Sequence, residues 1–340
     1  MSEASQDPSR CIIVLGVHRS GTSALAGVLS MLGADPGPSL MPAGEDNPKG
    51  FWEHADIVAA HDQLLGHLGS SWDDELPLAE GWWRRADLSS YRDALRDIVR
   101  RDFSRSPLWI LKDPRICRLL PLWFDILREV GARAHFVICL RDPDEVAKSL
   151  EKRDGIPAAK AQLMWLEHLL DAERWSRGQA RVSVAYDELL ADWRGTVQRI
   201  GQALSLPLRI DDPKTAAEVD AFLEPSLRHH RGAEQQPPGH PIAAMAREAY
   251  QRARLAPAER LGEALAFAQD RVREIGALVA PWAVRMRALD HRARELELRV
   301  KELDRRVEQT EQLLARVRSS VSWRITRPFR ALGRLLSIID

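Results

Sequence analysis

The sequence predicts an α/β fold: a doubly wound parallel sheet flanked by helices, with a helical extension towards its C-terminus. Three observations predict it. Four short apolar runs, residues 11–15, 107–111, 134–140 and 181–186, have the length and β-branched content of strands buried on both faces. The chain between successive runs is long enough for a crossover helix and carries helical patterns. From about residue 287 onward the pattern changes to a heptad repeat.

Residues 11–15, CIIVL, form the first strand. Gly16 ends it, and residues 16–23 read G-x-x-x-x-G-T-S. That keeps both glycines and the last hydroxyl of a phosphate-binding P-loop but puts Thr22 where nucleotidases carry Lys. Residues 23–31 then read as a helix. Gly16 and Gly21 let the backbone turn so that successive N–H groups face inward, and the helix N-terminus adds partial positive charge. The loop is therefore read as an anion cradle, to which Arg19 adds a full charge and a fixed fork of donors. A nucleotidase uses the missing Lys to reach the β- and γ-phosphates.

Residues 33–50 are rich in Pro and Gly and form a long loop, of the kind that is functional or disordered. It closes on DNPKGFWE, residues 46–53, before a helix over 54–68. Trp72, Trp82 and Trp83 follow among acidic residues; core packing explains them better than a sugar-stacking surface. A helix is expected over 88–103. The second strand runs into Lys112-Asp113-Pro114-Arg115, where Asp113 suits an N-cap and Pro114 the first position of a helix reaching 130. The third strand runs into Arg141-Asp142-Pro143, the same device. Each places a cation at the carboxyl end of a parallel strand, where α/β sheets bind ligands. Helices are expected over 144–152, 158–178 and 192–204, with the fourth strand between the last two.

The domain organisation reads as a disordered stretch over 1–10, a catalytic domain over 11–240, a helical linker over 241–282, a coiled coil over 283–321 and a basic amphipathic tail over 322–340. Lys and Arg number 49, as do Asp and Glu, so no global basic excess points to nucleic acid. The three cysteines, Cys11, Cys117 and Cys139, are odd in number and two lie in predicted buried strands, which suggests a reduced compartment. The first ten residues do not make a signal peptide, and no apolar run is long enough to span a bilayer. A cytoplasmic location is expected, with membrane-surface contact open. No metal-ligand cluster appears in the sequence.

On these motifs the chain resembles the sulfotransferases that use 3′-phosphoadenosine 5′-phosphosulfate (PAPS). The resemblance covers about residues 11–232. Gly16, His18, Arg19, Ser20, Gly21, Thr22 and Ser23 correspond to the family's 5′-phosphosulfate loop. The family's 3′-phosphate site, an Arg at a strand end and a Ser eight residues later, matches Arg141 and Ser149 in LRDPDEVAKS. Lys112-Asp113-Pro114 resembles an element of protein-tyrosine sulfotransferases whose Lys lies at the transferring sulfuryl group. Tyr186 resembles the family's adenine-side Tyr, and Arg228 and Arg231 in PSLRHHRG fall where it brings a basic loop over the 3′-phosphate. Two departures stand out. Ala24 occupies the place of an adenine-stacking Trp, and the catalytic His of cytosolic members has no match.

The resemblance implies a sulfotransferase moving a sulfuryl group from PAPS to a hydroxyl, without a metal. Sulfuryl transfer is like phosphoryl transfer, in which positioning and electrostatics dominate. Arg19 and Lys112 would stabilise the leaving 5′-phosphate, and a carboxylate or His would take the proton of the attacking hydroxyl. Candidates for that base are Glu45, Glu53, His54 and His61; Glu53 is favoured because related enzymes draw a Glu from this region. The competing readings are a P-loop kinase or NTPase, which requires Mg²⁺ and ATP, and a sulfotransferase-like module kept for binding.

The acceptor is expected to be a carbohydrate, a cell-surface glycan or its precursor, because SSVSWRITRPFR resembles C-terminal segments of bacterial polysaccharide glycosyltransferases. In the tail, Arg324, Arg327, Arg330 and Arg334 alternate with apolar residues, a pattern that can lie in an anionic membrane interface or pack on its own coil. Leu289, Ala293, Leu296, Val300, Leu303, Val307, Thr310, Leu314, Val317 and Val321 step by four and three, the seam of a coiled coil. Arg292, Arg299 and Arg306 at g positions each precede an acid at an e position, Glu297, Asp304 and Glu311. Those signs match in a parallel homodimer.

Overall fold

The computed structural model describes residues 8–44, 47–223 and 239–325, apart from some side chains between 280 and 294. Glu45, Arg228, Arg231 and residues 326–340 of the tail lie outside the described residues. The chain divides into two compact units, residues 1–280 and 281–340.

The first unit is built on a four-stranded parallel sheet ordered β2-β1-β3-β4. Its strands are β1 (Ser9–Leu15), β2 (Leu108–Lys112), β3 (Ala132–Leu140) and β4 (Arg181–Ala185). The helices are α1 (Thr22–Met31), α2 (Ala55–His67), α3 (Ser89–Phe103), α4 (Ile116–Val130), α5 (Pro143–Asp154), α6 (Ala158–Ser176), α7 (Tyr186–Ala191), α8 (Trp193–Leu204), α9 (Pro213–Phe222) and α10 (Pro241–Leu255). Side chains of β1 alternate between two cores: Cys11, Ile13 and Leu15 pack with residues of α2, α3, α4 and α6, Ile12 and Val14 with residues of α1 and α8. Helices cover both faces, which is why the strand reads as an unbroken apolar run.

This strand order reverses direction at β1, so the crevice between the carboxyl ends of β1 and β3 is the topological switch point, where such sheets bind ligands. Register aligns the chemistry there: Val14 pairs with Lys112, and Leu15 with Ile138.

Two local details differ from expectation, at Asp113 and at Tyr186. Asp142 caps α5 as predicted, accepting from the N–H groups of Asp144 and Glu145 with Pro143 next to it. At Asp113 the first turn is tighter: the Ile116 N–H donates to the Asp113 carbonyl at 2.9 Å, an i→i+3 bond, and the α-helix begins only at Ile116. Tyr186 opens α7 instead of ending β4. Of the tryptophans, Trp82 is buried in the core, and Trp72 and Trp83 pack against it.

A helix of 59 residues, α11 (Leu261–Ser319), is followed by the short α12 (Val321–Ile325). In the second unit, Leu296, Val300, Leu303 and Val307 are each more than half exposed. No helix among the described residues is long and apolar enough to cross a membrane.

Candidate active site

The loop after β1 is shaped by two glycines. Gly16 has φ +151°, and a Cβ there would lie 2.9 Å from the Thr22 methyl and 3.0 Å from the Cys139 carbonyl oxygen. Gly21 has φ +86°, and a Cβ there would lie 2.1 Å from the Tyr186 ring. No side chain fits at either position. Arg19 is also in the left-handed region, φ 69°, which costs a non-Gly residue about 1 kcal/mol or more and is tolerated where surroundings fix it. Two buried thiols brace this loop: the Gly16 N–H donates to Cys117 Sγ, and Cys139 Sγ donates to the Ser20 carbonyl, each at 3.1 Å. Burial pushes both thiols up to about 12, so they remain neutral and inert.

Across the loop, Lys112 and Glu53 form a buried ion pair. The Lys112 ammonium also donates to Ser23 Oγ at 3.0 Å and to the Phe51 carbonyl at 3.1 Å, so its three protons are all used. Burial holds the Glu53 carboxyl above the ordinary carboxylate range, against the opposing pull of Lys112. Arg115 stands 3.9 Å from the other Glu53 oxygen.

On the other side, Arg19 Nε donates to Ser149 Oγ at 2.8 Å, and Arg141 donates to the Arg19 carbonyl at 2.9 Å. Arg141 is held by Glu145 at 3.0 Å and lies 4.9 Å from the centre of the Tyr186 ring. The backbone at Arg141 is pinned by Trp165, whose Nε1–H donates to its carbonyl.

A strap over the crevice runs from Asn47 to Glu53. Asn47 donates to the Gly50 carbonyl at 2.7 Å, Trp52 to the Lys49 carbonyl at 3.1 Å, and Lys49 to the Phe222 carbonyl at 2.6 Å at the end of α9. Trp52, at φ 57°, packs edge-on against Phe222. Asn47, Lys49 and Phe222 were not candidates in the sequence. The Lys49–Phe222 contact joins segments 173 residues apart, which no local pattern reveals.

These parts enclose a cavity of about 750 Å³. His18, Arg19, Gly21, Thr22, Ser23, Glu53, Lys112, Arg141, Ser149 and Tyr186 all line it. Gly16 and Ser20 do not, and serve the loop's shape from behind. His18 is buried and held below its ordinary range by burial and the nearby Arg115, so it is neutral. Two of the alternative bases stand elsewhere. His61 accepts from Trp123 Nε1 at 2.9 Å, which leaves its Nδ1–H to donate to Asp113 at 2.7 Å; both ring nitrogens are occupied. His54 pairs with Asp102 at 3.0 Å outside the cavity.

Among the described residues, His54, Asp56 and Asp102 could bring three ligand atoms within 4.8 Å of one another. The Arg101 guanidinium already bridges the two carboxylates, at 2.5 and 2.6 Å, in the place a cation would take.

The lining of the cavity suits anionic groups. It offers a glycine loop at a helix N-terminus, three cations on three strand ends, and the Tyr186 and Phe222 rings. Residues 11–211, more than half of the 340, match the model of the sulfotransferase family. Among solved structures, the sulfotransferase domain of the Synechococcus PCC 7002 olefin synthase is 17% identical, over 74% of this chain and 98% of that one, with a TM-score of 0.41. Sulfotransferase STF9 from Mycobacterium avium is also 17% identical, over 78% of this chain and 77% of that one, with a TM-score of 0.42. No curated protein matches the chain.

Proposed function

The chain belongs to the sulfotransferase family, and on that premise we propose that it transfers the sulfuryl group of PAPS to a carbohydrate hydroxyl, on a cell-surface glycan or its precursor. The observation that carries this reading is the meeting of Arg19, Lys112, Glu53, Arg141 and Ser149 in one cavity at the switch point. The donor supplies a sulfuryl group already activated on a phosphate. Arg141 and Ser149 hold the 3′-phosphate, which ATP lacks, and the loop amides with Arg19 hold the 5′ side. Phe222 is available to the adenine that Ala24 cannot stack.

Glu53 takes the proton of the acceptor hydroxyl as its oxygen bonds to sulfur. Its raised affinity for a proton suits that task. Lys112, one hydrogen bond from Glu53 and another from Ser23 at the loop, balances the negative charge that develops as the bond to the 5′-phosphate breaks. The same Lys therefore couples base and leaving-group stabilisation.

The chain acts as a parallel homodimer through residues 283–321, with the basic tail at a membrane surface. The exposed apolar seam and the g-to-e charge pattern support the dimer. Thermal stabilisation tests the nucleotide reading. Adenosine 3′,5′-bisphosphate should raise the melting temperature and ATP with Mg²⁺ should not; the reverse result would assign the cavity to a kinase or NTPase.

A further inference from the structure

Not all the positive charge around the cavity is committed to the reaction. Lys49 serves the carbonyl end of α9. Arg19, Lys112 and Arg141 stand at the three strand ends. Lys152 and Arg153 remain. They follow Ser149 on α5 by three and four positions, so the three side chains share one helix face, and all line the cavity. Lys152 has no hydrogen-bond or ion-pair partner among the described residues. Arg153 is paired with its neighbour Asp154 at 2.7 Å and lies 5.6 Å from the Trp72 ring.

The direction of α5 places these two cations. The helix starts beside Arg141, whose guanidinium lies on Tyr186. Ser149, in its middle, meets Arg19. Its last turn reaches the opposite end, where Trp72 touches both Arg153 and His18, the ring centres of Trp72 and His18 being 4.7 Å apart. His18 feels the charges of Arg115 and Arg153, and Arg115 stands 3.9 Å from Glu53. Arg115 thus relates this end to Glu53, beside which the incoming hydroxyl arrives on the sulfotransferase reading. Among the described residues lining the cavity, Glu53 is the one carboxylate, and Lys112 already neutralises it.

We propose that the end of the cavity formed by His18, Lys152 and Arg153 is the acceptor subsite, and that it selects an anionic carbohydrate, one bearing a carboxylate or phosphate near the hydroxyl that is sulfated. The proposal rests on the sulfotransferase reading above. Lys152 and Arg153 hold the acceptor's own charge, and Arg153 is braced by Trp72. A neutral sugar gains nothing from this field, whereas an anion gains charge-assisted hydrogen bonds at a partly enclosed site.

The test is calorimetry on the full chain loaded with adenosine 3′,5′-bisphosphate. A heparosan tetrasaccharide is titrated beside neutral chitotetraose, and glucose 6-phosphate beside glucose, the two pairs separating carboxylate from phosphate recognition. At least one acidic sugar should bind about tenfold or more tighter than its neutral partner, as one charged hydrogen bond predicts. A Lys152→Ala/Arg153→Ala double variant should erase that preference and leave bisphosphate affinity unchanged; Lys152→Arg should keep it. Equal binding, or no binding, within both pairs overturns the proposal. So does a double variant that loses bisphosphate affinity as Arg141→Ala does, because the two cations would then serve the donor. Failure of the underlying reading looks different: the wild-type chain would bind no bisphosphate, and the acidic preference measured on the unloaded chain would still decide the subsite.

Discussion

Arg19 Nε donates to Ser149 Oγ at 2.8 Å, joining the loop after β1 to the middle of α5 across 130 residues of sequence. The bond fixes a strained Arg and ties the glycine loop to α5 across the cavity. Ser149→Ala removes a hydrogen bond to a charged group. It should weaken binding of adenosine 3′,5′-bisphosphate about tenfold, on the order expected for such bonds. Titration calorimetry reads this directly, and unchanged affinity would mean that Ser149 only supports the loop.

Glu53→Gln keeps the shape of the Lys112 contact and removes the carboxylate proposed as the base. Turnover should fall about 10²–10⁴-fold, while bisphosphate affinity changes little. The pH profile gives an independent check. Burial raises the Glu53 carboxyl above its ordinary value, so kcat/KM should fall on the acid side as pH drops through that raised value. A wild-type rate in the Gln variant would remove Glu53 from the mechanism.

A second carboxylate group affects stability, not chemistry. Glu167 and Asp171 lie one turn apart on α6, and burial raises them to about 8 and about 6, with Arg118 opposing. A carboxyl raised by folding stabilises the fold while protonated, and that contribution is lost as pH rises through the folded-state value. Melting temperature should therefore decline from about pH 5 to 8. Glu167→Gln should flatten the decline and melt higher than wild type at pH 8. An equal slope in both proteins would contradict this.

The seam of residues 283–321 predicts a dimer. Light scattering should give twice the chain mass for the full chain and one chain mass for a form ending near Pro281. Engineered cysteines at matched seam positions should cross-link, and cross-links only between staggered positions would show that the coil is not parallel.

The sheet and its loop were legible because their signals are local. In β1 an apolar run, a glycine turn and a small-residue helix follow one another within 23 residues, from Ser9 to Met31. Arg141 and Lys112 were legible as cations at strand ends. Phe222 and Lys49 were not, since their roles arise from one contact between distant segments. Lys152 and Arg153 had a weak local signal, the continuation of the Ser149 helix face by three and four residues. Tyr186 reads as the end of the apolar run 181–186, and Ala185, which precedes α7, offers no side-chain cap to mark the helix start. His61 looked like a base in the sequence, yet Trp123 and Asp113 take both its nitrogens.

The most direct test of the central claim compares two nucleotides that differ by one phosphate. Calorimetry on the full chain should show adenosine 3′,5′-bisphosphate binding at least about tenfold tighter than 5′-AMP, as a charge-assisted contact to the extra phosphate predicts. Arg141→Ala should bring the two affinities together. Equal binding of both nucleotides by the wild-type chain, with Arg141→Ala altering neither, would contradict the account.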